Sequence, residues 1–118
     1  MPGISIHVVD ISRGIVARGM RAELWSAAED GPFVHLLEGE IDATGSLVHP
    51  DLDRAFVAGR YRAVFHVGAY YRNEGIVAGA HPFLGVVHFD FGISVPAQHV
   101  HLPFKCTPWG YSCFRGAA

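Results

Sequence analysis

Short runs of alternating apolar and polar residues, separated by turn residues, follow one another along this chain and constrain its fold more than any other feature. In the first run, Ile4, Ile6 and Val8 occupy alternate positions, and His7 is one of the residues between them. Successive side chains of a strand point to opposite faces, so this run predicts a strand with a buried apolar face and His7 on the other face. About seven such runs at roughly ten-residue spacing, with turn signals between them, predict an antiparallel β-sandwich.

Glycine, proline and aspartate residues interrupt the runs and set the predicted boundaries. We predict one short helix of about two turns between Gly68 and Gly75, and a loop or a single helical turn from residue 51 to 58. Pro108 removes a ladder donor and Gly110 permits a tight reversal, which predicts a terminal hairpin. The whole chain, residues 1–118, is predicted to be one all-β domain. The predicted strands span residues 4–9, 20–25, 33–40, 46–48, 60–67, 83–93, 99–104 and 111–114.

Composition and charge exclude several classes of partner. Half of the residues are hydrophobic, 17% are charged and the net charge is −2, so no basic stripe is present that would bind nucleic acid. The sequence shows no secretory signal pattern, and no apolar run approaches the roughly 18 residues that span a bilayer. We therefore expect a soluble, cytoplasmic protein that does not bind membranes. So many hydrophobic residues in a short chain with few charges favour burial between subunits, and we predict a homotetramer.

Histidines are the informative polar residues, and the chain has eight of them. Near the carboxyl end, His99 and His101 alternate with apolar residues, which predicts that both imidazoles lie on one face of a strand. With His7, they form a group of three strand histidines that are candidates for chemistry. The other five have no companion close in sequence, and a lone histidine on a strand is usually a surface or hydrogen-bonded residue. These five are His35, His49, His66, His81 and His88.

Two stretches, one at each end of the chain, resemble the signature sequences of the 5-hydroxyisourate hydrolases and of transthyretin, their hormone-carrying relative. Shorter matching segments, at residues 59–61, 68–71 and 81–84, fall between them in the family's order and spacing. The resemblance therefore covers nearly the whole chain. The two stretches read Ile-His-Val-Val-Asp-Ile-Ser-Arg-Gly over residues 6–14, and His-Val-His-Leu-Pro, Thr-Pro-Trp-Gly-Tyr-Ser and Phe-Arg-Gly over residues 99–103, 107–112 and 114–116.

The resemblance implies a sandwich of two four-stranded sheets with one short helix, assembled as a dimer of dimers around a central channel. It implies hydrolysis of the lactam bond of 5-hydroxyisourate, a step of urate and purine breakdown, with His7 and His101 as the catalytic residues. Opening a cyclic amide needs a water that is deprotonated near neutral pH and a proton returned to the leaving nitrogen, and imidazole can do both. A small cyclic ureide is the expected substrate.

Three features of the sequence depart from the family's pattern. The hydrolases have an arginine after the glycine of a turn that is matched here by residues 44–45, and this chain has Ser46 there. An arginine would orient a carbonyl-rich ureide and stabilise the developing oxyanion, whereas serine offers one neutral donor. The family's usual Tyr-Arg-Gly-Ser ending is replaced here by Phe-Arg-Gly-Ala from residue 114. Lys105 lies in a stretch that the family usually fills with leucines. The predicted substrate-binding residues are Ser46, His99, Ser112 and Arg115, with Arg115 or a displaced arginine supplying the missing charge.

Other functions stay open at this stage. The histidine pair could hydrolyse a different small cyclic lactam, imide or lactone. Alternatively, the chain could bind a small molecule without catalysis, as transthyretin does. A zinc site formed by His7, His99 and His101 is a further alternative, but the family works without a metal and no carboxylate or cysteine stands at ligand spacing, so we predict no metal and no cofactor. Ser112 or Cys113 as a nucleophile is the last alternative. Cys106 and Cys113 are predicted to be free thiols rather than a disulfide.

Overall fold

The computed structural model describes residues 2–117, and over this range the chain folds into two β-sheets that pack face to face. Sheet 1 contains the two ends of the chain, and sheet 2 contains the middle of it. The elements are β1 (Ile4–Asp10), β2 (Ile15–Val16), β3 (Arg21–Ala27), β4 (Val34–Glu40), a 3₁₀ turn (Pro50–Asp53), β5 (Gly59–His66), α1 (Val67–Asn73), β6 (Val86–Ile93), β7 (Val100–Thr107) and β8 (Gly110–Cys113).

Within residues 2–117 each sheet has four strands, in the order β2-β1-β7-β8 for sheet 1 and β4-β3-β5-β6 for sheet 2. The predicted β-sandwich with one short helix is confirmed for this part of the chain. One strand pair departs from the predicted antiparallel arrangement, because β1 and β7 run parallel. Parallel neighbours need a long crossover connection, and here all of sheet 2 lies between the two strands in sequence.

Several element boundaries differ from the prediction, most of them by one to three residues. Strand β2 was not predicted, since it is only two residues long and lies between two turns. Residues 46–48 form isolated bridges with Ile41 and His7 instead of a regular strand. Strand β6 begins at Val86 rather than at residue 83, and α1 begins one residue earlier than predicted and ends at Asn73. The segment predicted as a loop or a single helical turn, residues 51–58, begins within the 3₁₀ turn Pro50–Asp53 and continues as a loop up to β5.

A buried aromatic contact joins the two sheets at their centre. Phe65 of β5 and Phe104 of β7 stack with ring centroids 3.9 Å apart and an interplanar angle of 12°, and both side chains are fully buried. Burying a side chain of this size stabilises the fold by roughly 1.5–3 kcal/mol. The contact fixes the inner face of β7, so the alternate residues of that strand point away from the core.

A buried carboxylate ties the end of β1 to α1. Asp10 has no exposed surface, and its oxygens accept hydrogen bonds from Ser12 Oγ at 2.5 Å, Arg13 Nε at 2.8 Å and Tyr71 Oη at 2.7 Å. Arg13 also donates to Glu74 at 2.9 Å. Burial alone would raise the pKa of Asp10, but the three hydrogen bonds outweigh it and hold that pKa below its usual value. The carboxylate is therefore ionised and paired at neutral pH.

Two further findings concern the thiols and the helices. Cys106 and Cys113 are free in this structure, and burial raises the pKa of Cys106 to about 11. None of the helices found between residues 2 and 117 is long and apolar enough to cross a membrane.

Candidate functional site

His7 lies on the outward face of β1, where a tight turn packs against it. The chain forms an isolated antiparallel bridge between His7 and Ser46, and His7 Nε2 is 2.9 Å from the carbonyl oxygen of Thr44. Asp42 Oδ1 fixes this turn by accepting hydrogen bonds from the Thr44 hydroxyl at 2.6 Å and from the Ser46 amide at 3.1 Å. The hydrogen bond from the Thr44 side chain lowers the pKa of Asp42. An ionised carboxylate therefore holds the carbonyl that positions His7.

Ser5 connects the other two strand histidines. The parallel register of β1 and β7 places Ser5 directly beside His101, and Ser5 Oγ is 2.6 Å from His101 Nδ1 and 2.8 Å from His99 Nε2. His99 Nδ1 in turn lies 3.3 Å from the carbonyl oxygen of Pro2. These four residues form a continuous hydrogen-bonded row along the outward face of sheet 1, which we call the Ser5 row.

The partners in the Ser5 row determine where the protons of the neutral imidazoles lie. The Pro2 carbonyl can only accept, so His99 Nδ1 carries a proton and His99 Nε2 is left as an acceptor. The Ser5 hydroxyl therefore donates to His99 and accepts from His101 Nδ1, since a hydroxyl has a single proton to give. It follows that His101 Nε2 carries the lone pair. The Thr44 carbonyl can also only accept, so His7 Nε2 carries the proton and donates to it. The lone pair of the neutral His7 ring is then on Nδ1.

The surroundings of His101 favour its neutral form. Burial lowers the pKa of His101 below its ordinary value of 6.5, and the nearby His7 and His99 lower it further. An imidazole with a lowered pKa keeps its lone pair at neutral and mildly acidic pH. His101 is thus arranged to accept a proton at Nε2.

The structure brings together four of the six predicted site residues on one face of sheet 1. His7 and Ser46 meet at the turn, and His99 and His101 meet at Ser5. Register pairs Ser5 with His101 and His7 with Pro103, so His7 and His101 are diagonal neighbours.

Of the other two predicted residues, Ser112 lies away from the imidazoles within one chain, whereas Arg115 contacts the backbone beside them. Ser112 pairs with Lys105, four residues beyond His101 and therefore about 13 Å further along β7. The Arg115 guanidinium contacts Gln98 Oε1 at 3.4 Å and the His99 carbonyl oxygen at 3.3 Å. A substrate-binding role for either residue stays a prediction.

Sequence reasoning missed Ser5 and Gly45 as parts of this site. Ser5 stands two residues before His7, so the same alternation that placed His7 on the outward face placed Ser5 there too. Gly45 has φ +89°, and a Cβ at that position would lie 2.5 Å from His7 Nε2 and 2.7 Å from Val16 Cγ1. Glycine is required here both for the backbone conformation and for the space that His7 occupies.

We predict that Gly45→Ala lowers the free energy of unfolding by about 2–5 kcal/mol, the sum of roughly 1–2 for a left-handed alanine and roughly 1–3 for the clash. Equilibrium unfolding in urea measures this cost. Gly19→Ala is the matched control, because Gly19 has φ +90° and nothing within 4 Å of the added Cβ. It should show the strain alone, and equal costs for the two variants would mean that Gly45 is not packed against His7.

The fold and the imidazoles together define a class of protein: a β-sandwich with a row of hydrogen-bonded histidines on the outward face of one sheet. Within that class, this chain belongs to the HIUase/Transthyretin family, whose model matches residues 4–116. The family assignment agrees with the resemblance found in the sequence.

Similar proteins cover the chain almost completely. The 5-hydroxyisourate hydrolase of Halalkalibacterium halodurans is 36% identical over 115 residues, which are 97% of this chain and 97% of the relative. The structure of Klebsiella pneumoniae 5-hydroxyisourate hydrolase superposes with a TM-score of 0.80 at 29% identity, covering 99% of this chain and 100% of that one. The crystal structure of (S)-allantoin synthase superposes with a TM-score of 0.84 at 27% identity, covering 98% of this chain but 43% of that longer chain.

Proposed function

We propose that this protein hydrolyses the cyclic amide of 5-hydroxyisourate or of a closely related oxidised purine, with His101 as general base. The observation that carries the proposal is the 2.6 Å contact between Ser5 Oγ and His101 Nδ1, which leaves Nε2 of a largely neutral imidazole free to accept a proton. The relatives named 5-hydroxyisourate hydrolase support the choice of substrate.

The position of the lone pair on His101 Nε2 determines how the reaction begins. His101 Nε2 takes a proton from a water molecule, and the water oxygen attacks the carbonyl carbon of the cyclic amide. When the C–N bond of the tetrahedral intermediate breaks, the leaving nitrogen needs a proton, which the His101 imidazolium or a protonated His7 returns. The products are a carboxylate and an amine on the opened ring, and no redox step is involved.

His7 has the geometry of a partner to this base. Its Nε2 is held by the Thr44 carbonyl, so Nδ1 is the atom that faces a substrate, and a positively charged His7 would also favour the developing oxyanion. Two imidazoles on one face can divide the roles of acid and base at neutral pH. We assign the base to His101 because its pKa is lowered.

Ser46 limits how well this site can stabilise the oxyanion. It stands beside His7 at the position that the resembled hydrolases fill with arginine, and removing one well-placed oxyanion donor costs about 100- to 1,000-fold in rate. Lys105 lies on the same face of β7 as His101 but about 13 Å away along the strand, so it could compensate only from another subunit. This observation favours a second candidate function, the hydrolysis of a different cyclic lactam, imide or lactone.

We also propose that the protein assembles as a homotetramer, a dimer of dimers with the histidine face of sheet 1 lining a channel between subunits. Exposed aromatic side chains support an interface at this edge of sheet 1: Trp109, Tyr111 and Phe114 are 69%, 50% and 45% exposed. Burying such a patch between copies removes apolar surface from water. The substrate would then be enclosed by residues of more than one chain.

A substrate panel tests the function and separates the two candidates. Freshly generated 5-hydroxyisourate, a hydantoin, a simple lactam and a lactone are each incubated with the protein, and ring opening is followed by ultraviolet absorbance or proton release. Faster opening of 5-hydroxyisourate than of the others supports the proposal. Preference for another ring supports the second candidate, and opening of none of them contradicts both.

We predict that Ser46→Arg raises kcat/KM for 5-hydroxyisourate by up to about 100-fold, because the guanidinium restores charge and hydrogen-bond donors beside His7. The measurement is the initial rate over a range of substrate concentrations. Val57→Arg is the control, since it adds the same charge at an exposed site beside Ser26 and Leu36 of sheet 2. If the wild type is already fast and Ser46→Arg adds nothing, Ser46 does not mark an altered substrate preference.

A further inference from the structure

The outward face of sheet 2 carries a second group of titratable side chains, on the opposite side of the sandwich from the Ser5 row. Glu23 on the inner strand β3 is 8% exposed, and it is surrounded by His35 and Glu38 from β4 and by His66 from β5. We call these four residues the Glu23 cluster. They come from three neighbouring strands and belong to no step of the proposed hydrolysis.

A β-bulge creates the Glu23 cluster. His35 and Glu38 are three residues apart, so in a regular strand they would point to opposite faces. The register between β3 and β4 shifts after Leu24, so that Glu38 pairs with Glu23 while His35 pairs with Trp25. The extra residue in β4 turns His35 to the same face as both carboxylates. Bulges commonly re-aim side chains next to functional sites.

Three atoms of the cluster face one another at distances that suit a metal ion. His35 Nε2 is 3.5 Å from Glu23 Oε1 and 3.2 Å from Glu38 Oε1, and the three ligand atoms all lie within 4.8 Å of one another. Ligands bound tetrahedrally to zinc at about 2.0–2.1 Å are separated from each other by roughly 3.3–3.4 Å. The two measured separations are therefore close to two edges of such a tetrahedron.

The second oxygen of each carboxylate is held by another partner, and Glu23 Oε1, which faces His35, already accepts one hydrogen bond. Glu23 Oε2 is bound to His66 Nε2, and Glu38 Oε2 is 2.7 Å from Arg21. The indole Nε1 of Trp25 donates to Glu23 Oε1 at 3.2 Å. Outer partners of this kind orient ligands in metal sites. They leave one oxygen of each carboxylate directed at the same imidazole nitrogen.

Charge also favours a cation at this place. His35 Nε2 has either one proton or one lone pair to offer, whereas two carboxylate oxygens approach it. A divalent ion would bind both oxygens and the imidazole lone pair at once. Imidazole with carboxylates is a ligand set that zinc accepts, and a fourth position would stay open to water. An adjoining cavity of about 400 Å³, lined in part by Trp25 and Val64, reaches the Glu23 side of the cluster.

We propose that Glu23, His35 and Glu38 form a binding site for a divalent transition-metal ion such as Zn²⁺, with His66 and Arg21 orienting the two carboxylates. The site is independent of the hydrolysis reaction, since it lies on the other sheet. Its failure would therefore leave the proposed function untouched.

The indole of Trp25 makes the site directly observable, because its ring contacts the His35 ring with centroids 5.1 Å apart. The chain has two tryptophans, so in a Trp109→Phe background all tryptophan fluorescence comes from Trp25. Titration with paramagnetic Co²⁺ should quench this fluorescence with one ion bound per chain, and excess Zn²⁺ should restore it. Ions bound at the distant Ser5 row would not contact Trp25.

Substitutions on the exposed side of the cluster complete the test. His35→Ala and Glu38→Gln should each weaken Co²⁺ binding by at least about tenfold, and both side chains are exposed enough for the variants to fold. His88→Ala, which changes an exposed histidine in the lining of the same cavity, should bind Co²⁺ as the background protein does. The proposal is overturned if Co²⁺ leaves the Trp25 fluorescence unchanged, or if His35→Ala and Glu38→Gln are quenched at the same concentrations as His88→Ala.

Discussion

His101→Ala is expected to lower kcat/KM for 5-hydroxyisourate by about 100- to 10,000-fold, the range that a positioned general base contributes. The loss follows from the Ser5 row, which holds His101 Nδ1 and leaves Nε2 as the proton acceptor. His7→Ala should also reduce the rate, since it removes the second imidazole. Initial rates at neutral pH measure both effects.

Two controls separate loss of chemistry from loss of structure. His81→Ala changes an exposed histidine in a loop and should leave the rate unchanged. The pH profile of the wild type should fall on the acid side as His101 is protonated, and because burial and the neighbouring histidines lower this pKa, the fall lies below pH 6.5. If His101→Ala and His7→Ala both hydrolyse the substrate as fast as the wild type, neither histidine is catalytic.

Asp10→Ala is expected to cost about 3–5 kcal/mol in the free energy of unfolding, because it removes a fully buried acceptor of three hydrogen bonds that contribute roughly 1–1.5 kcal/mol each. The substitution leaves Arg13 and the Tyr71 hydroxyl without the acceptor that binds both of them. Urea unfolding at pH 7 measures the cost. Asp90→Ala is the matched control, because Asp90 also pairs with an arginine but is 54% exposed, and a surface pair contributes about 0–1 kcal/mol.

The dependence of stability on pH provides a second test of the hydrogen bonds to Asp10. A carboxyl group whose pKa is lowered on folding stabilises the fold above its unfolded pKa, here about 3.8, and this contribution disappears as the pH falls through the lower, folded value. The wild type should therefore lose stability below about pH 4. Asp10→Ala should show a smaller loss over the same range, and an identical acid dependence in the two proteins would contradict the pairing.

The fold was predictable because alternation and turn residues report directly on strands. Ile4 and Ile6 were expected to be buried with His7 on the outward face, and the structure confirms this arrangement. The parallel pairing of β1 and β7 was not predictable in the same way, because alternation shows which face a residue occupies but gives no direction or partner for its strand. The Ser5 row depends on that pairing, so its hydrogen bonds could not be derived from spacing.

The Glu23 cluster shows a different limit of sequence reasoning. His35 and His66 were interpreted as lone surface or hydrogen-bonded histidines, and both lie against Glu23 in the structure. A regular alternation puts His35 and Glu38 on opposite faces, and only the bulge in β4 reverses this. A one-residue irregularity moves a side chain to the other face without any distinct composition.

The most direct test of the proposed function is the decay of freshly generated 5-hydroxyisourate, followed by ultraviolet absorbance in the presence of the wild-type protein. The His7→Ala and His101→Ala double variant at the same concentration is the reference, since it removes both imidazoles and leaves the core residues of β1 and β7 unchanged. We predict that the wild type accelerates the decay in proportion to its concentration and that the double variant does not. Equal decay with wild type, double variant and buffer alone would contradict hydrolysis of this substrate by the histidine face of sheet 1.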